Sequence, residues 1–371
     1  MKKIVADPNI LLLDNFAAIG EVIKVPGREW NNKLVREADV LLTRSVTRVN
    51  SQLLEGSKVK FIGTATSGFD HIDLGYLNQQ GIAFAYCPGS NANSVAEYVL
   101  AAILAVTPPD KPLRGMTAGI IGCGHVGGRV AEILEAVGIV TILNDPPLRQ
   151  QTGATRYRPL AEALSADIVS LHTPLTTSGE FPTKGLIATK ELESMQAEVI
   201  LINAARGGVI DETALLEKMK HCPPMKTVID CWQSEPSVNP LLLRDASLAT
   251  PHIAGYSYDG KLKAAMMLHD ALCDYLQVNK NWELSRSGVK KVLDLHKVES
   301  EKACLSQAVL SCYDISADSS KMKKLLYFSS IKAASAFDNL RKNYPVRREF
   351  DQANILTELY PIVFESLGFS N

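Results

Sequence analysis

The stretch GIIGCGHVGGRVAEIL, residues 119–134, decides the fold of the middle of this chain. Its glycines 122, 124 and 127 fit the pattern G-x-G-x-x-G, between a short apolar run and a helical pattern. In a strand–turn–helix unit the first glycine makes the tight turn, the second lets the backbone approach a pyrophosphate, and the third lets the helix pack closely on the strand. The helix N-terminus then meets the negative charge. The stretch predicts a dinucleotide-binding unit.

Asp145 supports this prediction from the end of the next apolar run, VTILND. A carboxylate at that place bonds the adenosine ribose 2′-hydroxyl and repels a 2′-phosphate, so we expect NAD rather than NADP. Cys123 and His125 occupy variable positions of the motif and are interpreted as loop residues beside the cofactor. The predicted cofactor-binding residues of this part of the chain are Gly122, Gly124, His125, Val126, Gly127 and Asp145.

Length and composition limit the class of protein. A chain of 371 residues with 46% hydrophobic residues is too long for one core and predicts two or three globular domains. A net charge of -1 gives no reason to expect nucleic acid or an acidic membrane as partner. Any anionic ligand must therefore be bound by local groups.

The cysteines and the N-terminal stretch favour a cytoplasmic protein. The seven cysteines are scattered, odd in number and contain no C-x-x-C pair, which suits reduced thiols better than disulfides or a zinc site, and we expect no bound metal. The stretch MKKIVADPNILLLDNF lacks the uninterrupted apolar run of a signal peptide. No window is apolar enough to predict a membrane span.

Apolar runs alternate with helical patterns along most of the chain, which is typical of parallel sheets with crossover helices. The runs KKIVAD, ADVLLTRS, VKFIGTAT and IAFAYC predict four strands in the first ninety or so residues. A second series predicts six: TAGIIGCG, VTILND, ADIVSLHT, EVILINAA, KTVIDCW and SLATPHIA. We therefore predict an α/β protein with two doubly wound, Rossmann-like parallel-sheet domains.

Domain boundaries follow from the joins between these series. Helical patterns at 93–106 and 259–278 are interpreted as the hinge. We predict one domain from residues 1–93 and 258–285, a cofactor-binding domain at 94–257, and a charge-rich C-terminal domain at 286–371.

Polar residues follow successive strands of the second series, where ligands bind in open α/β sheets. Thr173 lies in SLHTPLT, Arg206 lies in the small-residue turn NAARGG, and Asp230 and Glu235 lie in DCWQSEP. His252 follows in TPHIAG. An arginine to hold a carboxylate, a histidine to exchange a proton and an acid to orient it would together serve hydride-transfer chemistry at a nicotinamide. Each residue also has a purely structural alternative. Arg206 would form a surface ion pair, Glu235 would be a solvated loop acid, and His252 would be a buried, hydrogen-bonded histidine.

Four ordered stretches resemble the D-2-hydroxyacid dehydrogenase family: GIIGCGHVGGR, NAARGGVID, DCWQSEP and TPHIAG. The resemblance implies two doubly wound domains separated by a deep cleft, with residues 1–93 and 258–285 as the substrate-binding, flavodoxin-like domain. It also implies NAD-dependent oxidation of a 2-hydroxy acid. It implies His252 as acid/base, Glu235 as its partner and Arg206 as the residue that grips the substrate carboxylate. Further cofactor positions are implied at Thr173, Ala204, Ala205, Arg206, Asp230 and Gly255, and substrate positions at Ser45, Thr66 and Tyr256.

The stretches RSVTRVN, FIGTATSGFDHID and FDNLRKNYPVRREF are similar to one subfamily with a C-terminal α+β domain that most members lack. This resemblance implies a small phosphorylated 2-hydroxy acid as substrate and a homodimer formed through that domain. The basic cluster of Arg341, Lys342, Arg347 and Arg348 is interpreted in one of two ways: it is a solvated face, or it helps form a dimer interface or reaches a substrate phosphate across that interface.

Two other functions stay open at this point. A phosphoglycerate dehydrogenase of the same family is the nearest alternative, although the C-terminal domain and TATSGFDHID argue against it. From a different class, the same fold can serve as an NAD-sensing protein-binding module.

Overall fold

The computed structural model describes residues 1–222, 224–282 and 290–370. The chain forms two compact units, one made of Met1–Asn91 with Tyr258–Gly288 and the other of Ala92–Ser257 with Val289–Asn371. The C-terminal segment thus groups with the middle of the chain, and the predicted boundary at 285/286 lies outside the described residues. In the described part of the chain, every helix is too short or too polar to cross a membrane.

Thirteen strands are present in the described residues. In chain order they are β1 Lys2–Ala6, β2 Gly20–Lys24, β3 Val40–Thr43, β4 Phe61–Thr64, β5 Ala83–Ala85, β6 Thr117–Ile121, β7 Val140–Asn144, β8 Ile168–Leu171, β9 Ile200–Asn203, β10 Lys226–Ile229, β11 Leu248–Ala249, β12 Lys291–Asp294 and β13 Ala353–Leu356.

The described residues also form fifteen α-helices, with short 3₁₀ turns between some of them. They are α1 Asn32–Val35, α2 Ser51–Leu54, α3 Leu74–Gln80, α4 Ala92–Val106, α5 His125–Ala136, α6 Pro146–Thr152, α7 Leu160–Leu164, α8 Thr189–Ser194, α9 Glu212–His221, α10 Pro240–Asp245, α11 Tyr258–Leu276, α12 Glu301–Cys312, α13 Ile315–Lys323, α14 Ser330–Lys342 and α15 Pro361–Leu367.

The first unit contains a parallel sheet in the order β2-β1-β3-β4-β5. Four of its strands match the four predicted apolar runs, and β2 is a fifth that the sequence pattern did not predict. β2 is an edge strand whose residues are mostly half-buried or exposed, so it lacks the continuous apolar run of the central strands β3 and β4. Helix α11 packs on β4 and β5 of this sheet.

The second unit contains a six-stranded parallel sheet in the order β11-β10-β9-β8-β6-β7. All six strands match predicted runs, so the doubly wound α/β fold is confirmed for both sheets. The strand order reverses between β6 and β8, because β7 follows β6 on one side and β8 lies on the other. In such sheets the crevice at the carboxyl ends of these two strands is where ligands bind.

The C-terminal segment adds α+β structure to the second unit. Strands β12 and β13 pair in parallel, and helices α12 and α13 pack on α4. Helix α13 also packs on β11, and α15 packs on α5. Residues of α4 such as Val99 and Ile103 are fully buried. The segment is therefore attached to α4, to α5, which begins at the glycine motif, and to β11, which precedes His252 in the chain.

Candidate active site

The glycine loop has the geometry that each glycine position predicts. Gly122 follows β6 with φ +88°, and a Cβ there would lie 2.9 Å from the backbone nitrogen of Thr173. A Cβ on Gly127 would lie 1.9 Å from the carbonyl oxygen of Gly122, so the close approach of α5 to the loop requires glycine. A Cβ on Gly124 would meet no atom within 4 Å. The space at the N-terminus of α5 is therefore open, and exposed His125 and half-buried Val126 begin the helix beside it.

Asp145 is fixed next to this loop. Its Oδ2 accepts a hydrogen bond from the backbone N–H of Cys123 at 2.8 Å, and its Oδ1 accepts one from Leu148 at 2.9 Å, which caps α6. The carboxylate thus stands at the carboxyl end of β7, beside the glycine loop, where the sequence places it.

Thr173 lies across the switch point, just beyond the carboxyl end of β8. Its hydroxyl oxygen is buried and has no hydrogen-bond partner among the residues that the structure describes. Beside it, His172 bonds the Ser170 hydroxyl at 2.9 Å, and burial lowers the pKa of His172 to about 3, so this imidazole is neutral. An unpartnered hydroxyl opposite an open glycine loop fits a bound dinucleotide.

His252 and Glu235 form a hydrogen-bonded pair at the ends of β11 and β10. The Nδ1 atom of His252 lies 2.8 Å from one carboxylate oxygen of Glu235 and 3.0 Å from the other. The side chains are 31% and 20% exposed, respectively, so the pair is sheltered but reachable. With Nδ1 as the donor to Glu235, the Nε2 atom of His252 is the acceptor that can take a proton.

Glu235 is held as a carboxylate. Burial alone would raise its pKa, but the charge and hydrogen bond of His252, a 2.9 Å bond from the backbone N–H of Trp232 and the charge of Arg341 outweigh burial and lower it. The sulfur of Cys231 lies within 4.8 Å of the ligand atoms of the pair, and burial raises the pKa of that thiol far above its ordinary range. The pair therefore has a neutral thiol as its neighbour.

Asp230 fixes the backbone around His252. Its carboxylate is 1% exposed and accepts hydrogen bonds from the Thr250 hydroxyl at 2.6 Å, from the backbone N–H of Ile253 at 2.8 Å and from that of Ala254 at 2.9 Å. Its carbonyl oxygen accepts the N–H of His252 at 2.9 Å. These bonds hold His252 at φ 56°, which is left-handed backbone that non-glycine residues seldom adopt. The contact of Asp230 with cofactor stays a prediction.

The turn that carries Arg206 is locked by a residue that sequence reasoning missed. Asn203 accepts the N–H of buried Ala205 at 3.2 Å and donates to the carbonyls of Arg206 and Cys231, also at 3.2 Å. Arg206 is half-buried and donates to the Ala205 carbonyl at 2.8 Å, and Ala204 is half-buried beside it. The signal for Asn203 was its place at a strand end, directly before the small-residue turn.

Gly255 and Tyr256 continue the loop after His252. Gly255 is half-buried, and Tyr256 accepts a hydrogen bond at its hydroxyl from Arg341 at 3.1 Å. Because β8 to β11 are parallel neighbours, Thr173, Arg206, Glu235 and His252 all lie at one edge of one sheet. The contact between His252 and Glu235 joins two of these four residues, and the meeting of all four on one nicotinamide stays a prediction.

The remaining two predicted residues belong to the first unit. Ser45 is exposed in the turn after β3. Thr66 follows the adjacent strand β4, and its hydroxyl donates to the Gly68 carbonyl at 2.7 Å and contacts the Thr64 hydroxyl at 2.7 Å. Both therefore lie beyond the carboxyl ends of neighbouring strands of their own sheet, and their contact with substrate stays a prediction.

The basic cluster of the C-terminal segment is not a uniform solvated face. Arg347 is only 6% exposed and donates to the carbonyls of Ser94 at 2.9 Å and Ala254 at 2.7 Å. Arg341 and Arg348 are half-buried, and only Lys342 is exposed. The solvated-face interpretation is therefore wrong for Arg347, which supports the backbone two residues beyond His252.

Comparisons with known proteins agree with this fold and site. The family model described as D-isomer specific 2-hydroxyacid dehydrogenase, NAD binding domain, matches residues 104–254, and a domain of unknown function matches 289–367. A solved structure of NAD+-bound 3-phosphoglycerate dehydrogenase from Entamoeba histolytica is 25% identical with a TM-score of 0.64, over 77% of this chain and 99% of that one. Fold and site together define an NAD-dependent oxidoreductase of the D-isomer specific 2-hydroxyacid dehydrogenase class.

Two curated relatives narrow the class. An erythronate-4-phosphate dehydrogenase of Marinobacter nauticus is 44% identical over 93% of this chain and 92% of its own length. An erythronate-4-phosphate dehydrogenase of Cellvibrio japonicus is 41% identical over 94% of this chain and 93% of its own length. This chain belongs to the erythronate-4-phosphate dehydrogenase family.

Proposed function

We propose that this chain oxidises 4-phospho-D-erythronate to (R)-3-hydroxy-2-oxo-4-phosphobutanoate with NAD, an early step of pyridoxal 5′-phosphate synthesis. The observation that carries the proposal is the His252–Glu235 pair at 2.8 Å, on the same sheet edge as Arg206 and the glycine loop. The names of the relatives specify the substrate, and the similar C-terminal segment favours this subfamily over other 2-hydroxyacid dehydrogenases.

In the proposed reaction the Nε2 atom of His252 accepts the proton of the substrate C2 hydroxyl. Glu235 holds the imidazole by Nδ1 and stabilises the imidazolium that forms. Arg206 binds the substrate carboxylate and the C2 oxygen as charge redistributes. The glycine loop, Asp145 and Thr173 would hold NAD, and its nicotinamide would accept the hydride that leaves the substrate C2. Ser45, Thr66 and Tyr256 are proposed as further substrate contacts.

The assay that tests this function follows NADH formation with three substrates in parallel: 4-phospho-D-erythronate, 3-phosphoglycerate and D-lactate. We expect the highest kcat/KM with 4-phospho-D-erythronate. A preference for 3-phosphoglycerate or lactate would assign the chain to another dehydrogenase activity. NAD binding without turnover of any of the three would favour the protein-binding module.

The proposal includes a homodimer formed through the C-terminal segment. Four large apolar side chains are exposed close together in sequence, with Tyr327 87% and Ile331 80% exposed. The others are Leu326 and Phe328. An apolar cluster of this kind on a surface is typical of a protein–protein contact, and we propose a second copy of the chain as the partner. All seven cysteines are free thiols, which supports the proposal of a cytoplasmic protein.

A further inference from the structure

Arg341 reaches the active-site loop from helix α14 of the C-terminal segment. Its Nη2 donates to the Tyr256 hydroxyl at 3.1 Å, and its guanidinium carbon lies 5.6 Å from the centre of the Tyr256 ring. The Tyr256 ring also contacts Tyr344 edge-on, with ring centres 6.0 Å apart. Since Tyr256 is four residues beyond His252, this cation stands beside the loop that carries the proposed base.

The charge of Arg341 acts on the catalytic pair. It is one of the groups that lower the pKa of Glu235. Burial would lower the pKa of the guanidinium itself, but the Tyr256 hydroxyl and the carboxylates of Glu235 and Asp230 raise it above its ordinary value. Arg341 therefore remains a cation, close to carboxylates that would repel an approaching anion.

Arg341 has donor capacity that the described residues leave unused. Its Nε atom is buried and has no acceptor in the described ranges. The side chain as a whole is half-buried, so part of it is accessible. Arg347 differs because it is 6% exposed and lies against the carbonyls of Ser94 and Ala254, under the loop. Of these two arginines, Arg341 is the one that a ligand can reach.

The chain that follows Arg341 is anchored to the active-site loop. Six residues after Arg341, Arg347 donates to the Ala254 carbonyl at 2.7 Å, and eight residues after it, Glu349 accepts a hydrogen bond from the Ser257 hydroxyl at 2.6 Å. Both contacts are to the loop that contains Tyr256. The C-terminal segment is thus fixed to the loop on both sides of Tyr256, and the position of Arg341 relative to it is set by these bonds.

We propose that Arg341 binds the phosphate of the substrate and, through Tyr256, makes the C-terminal segment part of the substrate site in the same chain. This inference rests on the proposed function. The substrate has an anion at each end, and Arg206 is assigned to the carboxylate beside the reacting carbon. The phosphate at the other end needs a second cation, and a guanidinium can direct two N–H donors at one phosphate.

The test compares kcat/KM for 4-phospho-D-erythronate and for D-erythronate, which lacks the phosphate, in the full chain. We expect Arg341→Gln to lower the value for the phosphorylated substrate about 10- to 100-fold, the effect of losing a hydrogen bond to a charged group. The value for D-erythronate should fall much less, only by the part that Arg341 contributes through Glu235 and Tyr256. Lys342→Gln removes an exposed charge from the next residue of the same helix and should leave both values unchanged. An equal loss on both substrates in Arg341→Gln would overturn the phosphate contact.

A binding measurement separates this inference from the proposed function. Inorganic phosphate is titrated calorimetrically into the wild type and into Arg341→Gln, Arg341→Lys and Lys342→Gln, each with saturating NAD. We expect weaker binding by about tenfold or more in Arg341→Gln, partial recovery in Arg341→Lys and no change in Lys342→Gln. If the wild type does not oxidise 4-phospho-D-erythronate, the proposed function fails, yet this titration still decides the role of Arg341. Equal affinity in the wild type and Arg341→Gln, or no phosphate binding to the wild type, overturns it.

Discussion

The buried carboxylate of Asp230 accepts the backbone N–H of Ile253 at 2.8 Å, and Ile253 is the residue directly after His252. With the parallel bond to Ala254, this contact fixes the left-handed backbone from which His252 meets Glu235. The carboxylate of Asp230 thus orients the side chain of His252 by holding the main chain directly after it.

We expect Asp230→Asn to lower both stability and turnover. The amide keeps one acceptor but turns an NH₂ group toward the Ile253 or the Ala254 N–H, so the free energy of unfolding should fall by about 1–3 kcal/mol. Denaturant unfolding and kcat check this. NAD affinity should be retained if Asp230 acts through the loop alone, and a parallel loss of NAD affinity would support the sequence-based prediction of a cofactor contact. Unchanged stability would refute the positioning role.

The charge of Glu235 should appear in the pH profile of kcat/KM. Glu235→Gln keeps the size of the side chain but no longer stabilises a charged imidazole, so the acid limb should move to lower pH. An acid limb at the wild-type position would show that the pair at 2.8 Å is not coupled to catalysis.

The same substitution makes a prediction about stability. Because the pKa of Glu235 is lowered in the folded state, its carboxylate stabilises the fold above the pKa of the unfolded chain, and this contribution is lost as pH falls through the lower folded value. The difference in unfolding free energy between wild type and Glu235→Gln should therefore be present above the ordinary pKa of a glutamate carboxyl group and should shrink as the pH falls below that value. A difference that keeps growing as the pH falls below the ordinary glutamate pKa would contradict the direction of the shift.

Two glycine substitutions should separate folding from cofactor binding. Gly127→Ala places a Cβ 1.9 Å from the Gly122 carbonyl oxygen and should destabilise the second unit strongly. Gly124→Ala meets no atom within 4 Å and should leave thermal stability near that of the wild type while weakening NAD binding. Thermal unfolding and NAD titration of both variants check this. Equal NAD affinity in Gly124→Ala and wild type would argue against a pyrophosphate at that glycine.

Asp145 should control the choice between NAD and NADP. Asp145→Asn keeps an oxygen to cap α6, where Asp145 now accepts the Leu148 N–H at 2.9 Å, and removes the charge that repels a 2′-phosphate. Its NH₂ group then faces the Cys123 N–H, a loss that should affect both cofactors alike. We expect kcat/KM with NADP to rise relative to that with NAD. Steady-state kinetics with both cofactors measure the ratio, and an unaltered ratio would remove Asp145 from cofactor discrimination.

The proposed dimer can be tested without truncating the chain. Tyr327→Asp combined with Ile331→Asp places two charges in the exposed apolar cluster and should give a monomer in light scattering. Ile362→Asp is the matched control, because Ile362 is 77% exposed elsewhere in the C-terminal segment. A dimer that survives the double substitution, or one that Ile362→Asp dissociates instead, would place the interface elsewhere.

Strands, helices and turns that depend on neighbouring residues can be predicted from the sequence. Contacts between residues that are distant in the chain cannot. The glycine motif and the buried runs identified both sheets, because local spacing and apolarity determine a strand–turn–helix unit. Strand β2 was missed because an edge strand needs no continuous apolar run. The bonds from Asp230 to Ile253 and from Arg341 to Tyr256 join residues 23 and 85 positions apart, and no local pattern encodes such pairs.

Arg347 links carbonyls that lie 253 and 93 positions earlier in the chain. During synthesis the loop around His252 emerges long before this arginine does. A chain whose translation stops short of residue 347 therefore carries every proposed catalytic side chain but lacks the donor that holds Ala254 in place. The active site is therefore complete only after residue 347 has been made, and chains cut short before it are expected to be poor catalysts.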